Sequence, residues 1–213
     1  MKSQNCEKLP VFAISRHRMM IDGVGVTSLV GAYGCSLQCK YCINSHAWNP
    51  KTLEKCKFLT AEELYDKLSI DNLYFQATGG GVTFGGGEAL LHAKFYHEFR
   101  KVCGNDWRLT VETSLNVDSE LLIASLDVID DYIVDIKDMN REIYASYTGK
   151  GNENVIENLK ILLQNKSSDQ ILVRVPHIPE YNQEADVQKS VEILKSMGIK
   201  ILRFLHMLLK VSV

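Results

Sequence analysis

Three cysteines, Cys35, Cys39 and Cys42, fall within the nine-residue stretch Gly34-Cys35-Ser36-Leu37-Gln38-Cys39-Lys40-Tyr41-Cys42, which holds half of the six cysteines in the chain. Thiolates spaced by three and then two residues can turn around one metal centre, because a single loop brings all three sulfurs within bonding distance of it. Two chemistries suit that donor set. A structural zinc wants a fourth closed ligand, for which His46 or Cys56 is available. An iron–sulfur cube on three cysteines instead leaves one iron without a protein ligand, free to bind a small molecule, and thiolates are soft enough for either. Spacing by itself leaves both open.

The loop has to be carried by a scaffold, and the flanking sequence suggests one. Asp22-Gly23-Val24-Gly25 reads as a turn, and the apolar stretch Val26 to Ala32 reads as a strand running into the cysteines. Thr60-Ala61-Glu62-Glu63 has the Thr and Glu spacing of a capping box, so a helix burying Leu64 and Leu68 should follow. Gly79 to Glu88 places a short strand, Val82 to Phe84, between two glycine triplets, the second of which (Gly85, Gly86, Gly87) lets the backbone approach a bound group closely. It is not a phosphate loop, since the Gly-Lys-Ser/Thr ending is missing.

Beyond this point strands and helices alternate. Strands are expected at Arg108 to Glu112, Tyr132 to Ile136, Ile171 to Val175 and Ile199 to Leu205. Helices are expected at Leu91 to Val102, Ser119 to Ser125, Asn152 to Gln164 and Asn182 to Met197. A closed eight-stranded barrel typically needs about 250 residues, so six strand-helix units in 213 residues predict an α/β fold with a partial, open barrel or a doubly wound sheet. One domain over 1–213 is the simplest organisation.

Composition narrows the partners. A net charge of −2 without a long basic run gives no reason to expect nucleic acid or an acidic membrane surface. No apolar run reaches the roughly 18 residues of a membrane span, and the start is polar, so a cytoplasmic protein is expected. The clustered cysteines do not form a secreted disulfide framework. Cys6, Cys56 and Cys103 read as singly placed thiols.

Parallel strands buried on both faces should be nearly all apolar, so charged residues at their ends are informative. Glu112 ends the third strand, Asp135 and Lys137 sit two apart at the end of the fourth, Arg174 lies near the end of the fifth, and His206 follows the sixth. Side chains alternate with period two, so Asp135 and Lys137 point to the same side. Ligands of α/β folds bind at the carboxyl ends of strands, which would gather these residues and the cysteine loop at one mouth.

Taken together, Asp22 to Gly25, the Cys35/Cys39/Cys42 loop with Tyr41 before its last cysteine, Gly79 to Leu91, Asp135 to Asn140 through Tyr144, Thr148-Gly149 and Asn158-Leu159 resemble the radical S-adenosylmethionine activating enzymes of glycyl-radical enzymes. The pyruvate formate-lyase activators are the branch resembled most, from about Val11 to the region of Arg174. The resemblance implies a [4Fe-4S] cluster on Cys35, Cys39 and Cys42, with S-adenosylmethionine chelating the open iron. It further implies reductive cleavage to a 5′-deoxyadenosyl radical that takes hydrogen from a glycine of a large partner enzyme. Flavodoxin or ferredoxin would deliver the electron to a monomeric activase.

By position, Gly85 to Glu88 resemble the loop that binds the methionyl amine, and the backbone near Tyr41 and Asn44 would face the adenosyl part. Glu112, Thr113 and Asp135 resemble positions that hold a monovalent cation beside the cofactor carboxylate, with Glu112 standing where the family has aspartate. Lys137 and Arg174 would pair with carboxylate or ribose groups. Thr27 replaces an expected arginine, and His206 stands in Phe204-Leu205-His206-Met207 rather than the usual Leu-Pro-Tyr-His. Relatives continue past Val213, so a missing or replaced C-terminal segment is expected. About 36 residues separate Cys42 from Gly79, too few for an extra ferredoxin-like cluster insert. Two rivals follow from the same residues: a radical enzyme acting on a small molecule, as in deazaguanine synthesis, and a non-enzymatic cysteine-rich module with a closed metal site.

Overall fold

In a computed structural model of the chain, residues 7–203 are described with their side chains and 204–206 by their backbone. The strands are β1 (Leu9–Met19), β2 (Val26–Ala32), β3 (Lys57–Leu59), β4 (Gly81–Gly86), β5 (Arg108–Thr113), β6 (Asp131–Asp135), β7 (Ile171–His177) and β8 (Ile201–His206). The helices are α1 (Pro50–Leu53), α2 (Ala61–Leu68), α3 (Asn72–Thr78), α4 (Ala93–Cys103), α5 (Ser119–Ile123), α6 (Arg141–Thr148), α7 (Glu153–Asn165) and α8 (Glu184–Ser196). All strands join one sheet in the order β3-β1-β2-β4-β5-β6-β7-β8. From β2 to β8 every neighbouring pair is parallel, and the described strands form no pair that would close the sheet into a barrel.

The six expected parallel strands are therefore present, with bounds shifted by a residue or two. Two antiparallel strands add to them. β1 pairs with β2 and β3 pairs with β1. Most of β1 beyond Ile14 is exposed and includes Arg16, His17 and Arg18, and its register is broken between Ser15 and Arg18, where His17 takes a positive φ of 54°. An exposed, bulged strand carries no clean alternation, which is why the pattern did not reveal it. α3 and α6 were also unforeseen. Each is short and ends at a left-handed glycine, Gly79 and Gly149 respectively.

One face of the sheet is packed by helices. Phe84 lies 4.6 Å from Tyr96 and 5.5 Å from Phe99, ring centre to ring centre, joining β4 to α4. Val30, Val111, Val134 and Val173 are fully buried on the same alternation, and each such side chain stabilises the fold by roughly 1.5–3 kcal/mol. α2 starts at the expected capping box, with Thr60 and Glu63 exchanging backbone hydrogen bonds of 2.9 and 3.2 Å. Among the described residues, no helix is long and apolar enough to cross a membrane.

The opposite face carries the intervening residues of the parallel strands: Thr27, Thr83, Gly85, Thr110, Glu112, Asp135 and Arg174. The turn between β1 and β2 folds onto it. The Thr83 hydroxyl donates to the Asp22 carbonyl. A Cβ on Gly23 would lie 3.2–3.4 Å from the side chains of Thr27, Thr83 and Thr110. The turn thus covers this face of the sheet, and the carboxyl ends of the strands remain for a site.

Candidate active site

Residues after β2 leave the sheet as the cysteine loop, and the loop is tied to the end of β4. The Glu88 N–H donates to the Gly34 carbonyl (2.8 Å) and the Gly87 N–H to the Ala32 carbonyl (3.1 Å). A Cβ on Gly87 would sit 1.9 Å from the Gly34 oxygen, so only glycine permits this approach. Gly86, at φ 91°, backs onto the Phe12 ring, and a Cβ on Gly85 would meet Glu112 Oε2 at 2.7 Å. The glycine triplet is required by these protein neighbours.

The other side of the loop is braced by aromatic residues. The Lys40 N–H donates to the Tyr147 carbonyl at the end of α6 (3.0 Å), and Tyr41 packs edge-on against Tyr181 (5.2 Å) while its hydroxyl donates to Glu180. Tyr181 also lies against Tyr147 (5.4 Å). These contacts fix Cys35, Cys39 and Cys42 over one cavity of about 220 Å³.

Its walls include Gly86, Gly87, Glu88, Glu112, Thr113, Asp135, Lys137 and Arg174, with Tyr41 and Asn44 at the loop. Nearly every residue singled out in the sequence is thus brought to one place. Gly85 lies behind Glu112 rather than on the wall, and the side chain of His206 lies outside the described residues, as do Cys6 and the tail after 206. Leu37, Ile43, Ser114, Tyr147, Pro176 and Ile178 complete the lining. Of these, Ser114 was within reach of the sequence, one residue past a strand end, whereas Tyr147 arrives from a helix that had no pattern to announce it.

Electrostatics differ around the wall. Burial pushes the Cys35 thiol up to about 11, although the Leu37 N–H opposes the shift, and burial likewise raises Cys39 against the pull of Lys137. Burial would lower Lys137, but Asp135 and the three thiols outweigh it and hold the ammonium above the ordinary lysine range. Asp135 Oδ2 is 3.7 Å from Lys137, while Asp135 Oδ1 and the Tyr147 hydroxyl are buried without a hydrogen-bond partner. Such atoms carry a desolvation cost that a polar ligand in the cavity would relieve.

Glu88 is buried and accepts from Thr113 Oγ1 (2.6 Å), the Ser114 N–H (2.9 Å), Ser114 Oγ (2.7 Å) and the Leu90 N–H (3.2 Å). Its carboxylate links the ends of β4 and β5. Arg174 meets Glu112 at 2.7 Å, and Arg18 pairs with Asp22 from the position on β1 that faces Thr27 across the strand pair. A guanidinium therefore reaches the turn even though position 27 is threonine.

The donor set can be compared with the group the loop would hold. Among the described residues, no three His, Cys, Asp or Glu side chains are grouped to hold a single ion. His46 packs edge-on against Phe12 (4.7 Å) and Cys56 donates to the Thr52 carbonyl (3.3 Å). Three cysteines on a cavity with unpaired polar atoms fit a cube of four irons with one corner open.

The family follows from a match over residues 29–194: the chain belongs to the Radical SAM superfamily. Its relatives include the pyruvate formate-lyase-activating enzyme of Clostridium pasteurianum, 35% identical over 66% of this chain and 58% of that one. The pyruvate formate-lyase 1-activating enzyme of Escherichia coli K12 is 28% identical over 84% of this chain and 72% of that one. The (2S)-3-sulfopropanediol dehydratase activating enzyme of Klebsiella oxytoca is 33% identical over 76% and 52%. The matched span thus runs from about half to under three quarters of these relatives' lengths. Among solved structures, Streptococcus suis SuiB aligns with a TM-score of 0.62 at 11% identity, covering 84% of this chain and 39% of that one. The structure of anSMEcpe with bound AdoMet aligns at 0.59 and 16% identity, covering 81% and 49%. These two establish the fold.

Proposed function

We propose that this protein activates a glycyl-radical enzyme of the pyruvate formate-lyase kind. The observation that supports it most is one cavity in which three loop thiols face Lys137, Arg174, Asp135 and the Gly86–Glu88 backbone. Cys35, Cys39 and Cys42 would hold a [4Fe-4S] cluster, leaving an iron for the amino and carboxylate groups of S-adenosylmethionine. When bound and reduced, this pair supplies a 5′-deoxyadenosyl radical that takes a hydrogen atom from a glycine Cα of the partner.

The protein's share is binding, orientation and exclusion of water. The backbone of Gly86 to Glu88 would receive the methionyl amine, held in place because Glu88 fastens it to β5. Lys137 and Arg174 offer charge-assisted donors to the carboxylate and ribose. Tyr41 and Asn44 would border the adenosyl group, and Leu37, Pro176 and Ile178 give the cavity an apolar wall. A flavodoxin or ferredoxin would reduce the cluster, and the activase would act as a cytoplasmic monomer.

Anaerobic reconstitution tests the reading. The expected result is a four-iron cluster, reductive release of 5′-deoxyadenosine and a glycyl-radical EPR signal on a candidate partner. A single tightly held zinc would overturn it, and consumption of a small substrate without a protein radical would move the activity to small-molecule chemistry.

A further inference from the structure

The floor of the cavity carries a charge network. Arg174 Nη1 lies 2.7 Å from Glu112 and 3.9 Å from Asp135, and Nη2 lies 3.5 Å from Asp22 and donates to the Ile21 carbonyl at 3.0 Å. Asp22 is paired again with Arg18, and Asp135 with Lys137. With Glu112 ionised, above about pH 7, three carboxylates therefore face three cations, and the formal charges of these pairs cancel. These pairs leave no net negative charge to draw an alkali ion to the floor.

Thr113, the third residue expected beside such an ion, has its hydroxyl engaged on both sides. It donates to Glu88 (2.6 Å) and accepts from the Leu115 N–H (2.9 Å). The longer side chain at position 112 is what brings a carboxylate to the guanidinium, and it fits because residue 85 is glycine: a Cβ there would lie 2.7 Å from Glu112 Oε2. A planar guanidinium is suited to answer several acids at once, where an ammonium is a single point.

We infer that Arg174 is the built-in cation of this site: anchored on Glu112, Asp135 and Asp22, it neutralises the floor and receives the cofactor carboxylate without a monovalent metal ion. The inference rests on the proposed function for the identity of the cofactor. It replaces the expected metal ion at Glu112, Thr113 and Asp135 with a residue of the chain.

The test is titration of S-adenosylmethionine into the anaerobically reconstituted protein in choline, sodium and potassium chloride, with 23Na relaxation measured on the same protein. The dissociation constant should stay within about twofold across the salts once ionic strength is matched, and 23Na should show no site that potassium displaces. In Arg174→Gln the affinity should fall about ten- to a hundredfold in choline, the value of a charged hydrogen-bonding partner, and sodium or potassium should restore part of it. Arg174→Lys should bind more weakly than the parent but remain indifferent to the salt. Tenfold tighter binding of the parent in sodium or potassium, or a displaceable 23Na site in it, overturns the inference. Should Arg174→Gln fail to fold, the parent's response decides alone. Absence of cofactor binding in every salt counts against the proposed function, whereas the 23Na signal needs no cofactor and still decides the question of the ion.

Discussion

Glu88 and Glu112 are both carboxylates on the wall of one cavity, yet their neighbours give them opposite tasks. Glu88 accepts four hydrogen bonds from β5, the loop after it and its own following turn. Glu88→Gln would place an amide among donors, so a loss of about 2–3 kcal/mol in denaturant unfolding is expected. Glu112 is governed first by burial, which raises its carboxyl to about 7; Arg174 opposes the shift, and Asp135 and Asp22 add to it. The folded state then keeps a proton that the unfolded chain has already released. The associated stability is complete below about 4.5 and is lost as pH rises through about 7. Thermal unfolding of the metal-free protein should show this decline, and Glu112→Gln should flatten it. Spacing made the thiols and the Asp135–Lys137 pair legible, because a loop turn and a two-residue period are local. The role of Glu88 depends on Thr113 and Ser114, 25 and 26 residues away, and no local pattern encodes that.

At the scale of elements, the loop after β5 is held open by a residue from a distant helix. Asn158 of α7 is fully buried and donates to the carbonyls of Leu115 (2.9 Å) and Val117 (2.8 Å), with Leu115 at a positive φ of 59°. Asn158→Leu keeps the volume but leaves two carbonyls unpaired. A destabilisation of about 2–4 kcal/mol in chemical denaturation is expected. Asp138 plays a similar part after β6, accepting from the Asn140 N–H (2.8 Å), Ser190 Oγ (3.1 Å) and Asn182 Nδ2 (3.2 Å). The parallel strands were readable as short apolar runs. β1, β3, α3 and α6 were not, since exposure, bulging or shortness removes the period on which such reading relies.

Across the whole molecule, the fold is an open sheet with one face covered by the Asp22 turn and strand ends that meet the cysteine loop. The open sheet with the cysteine loop at its strand ends follows from alternating strands and helices in a chain of this length; the packing of the turn on the sheet does not. The depth of the site does not, because it depends on how the turn, α6 and the residues after β7 lean over the strands. In the proposed function Cys35, Cys39 and Cys42, with the acids and bases on the cavity wall, would serve a centre with three protein thiolates and one position for a ligand. Mössbauer spectroscopy of the 57Fe-reconstituted protein, recorded with and without S-adenosylmethionine, tests this most directly. The account predicts a [4Fe-4S] spectrum in which one iron of four changes its parameters when the cofactor is added. A mononuclear spectrum, or four irons indifferent to the cofactor, would contradict it.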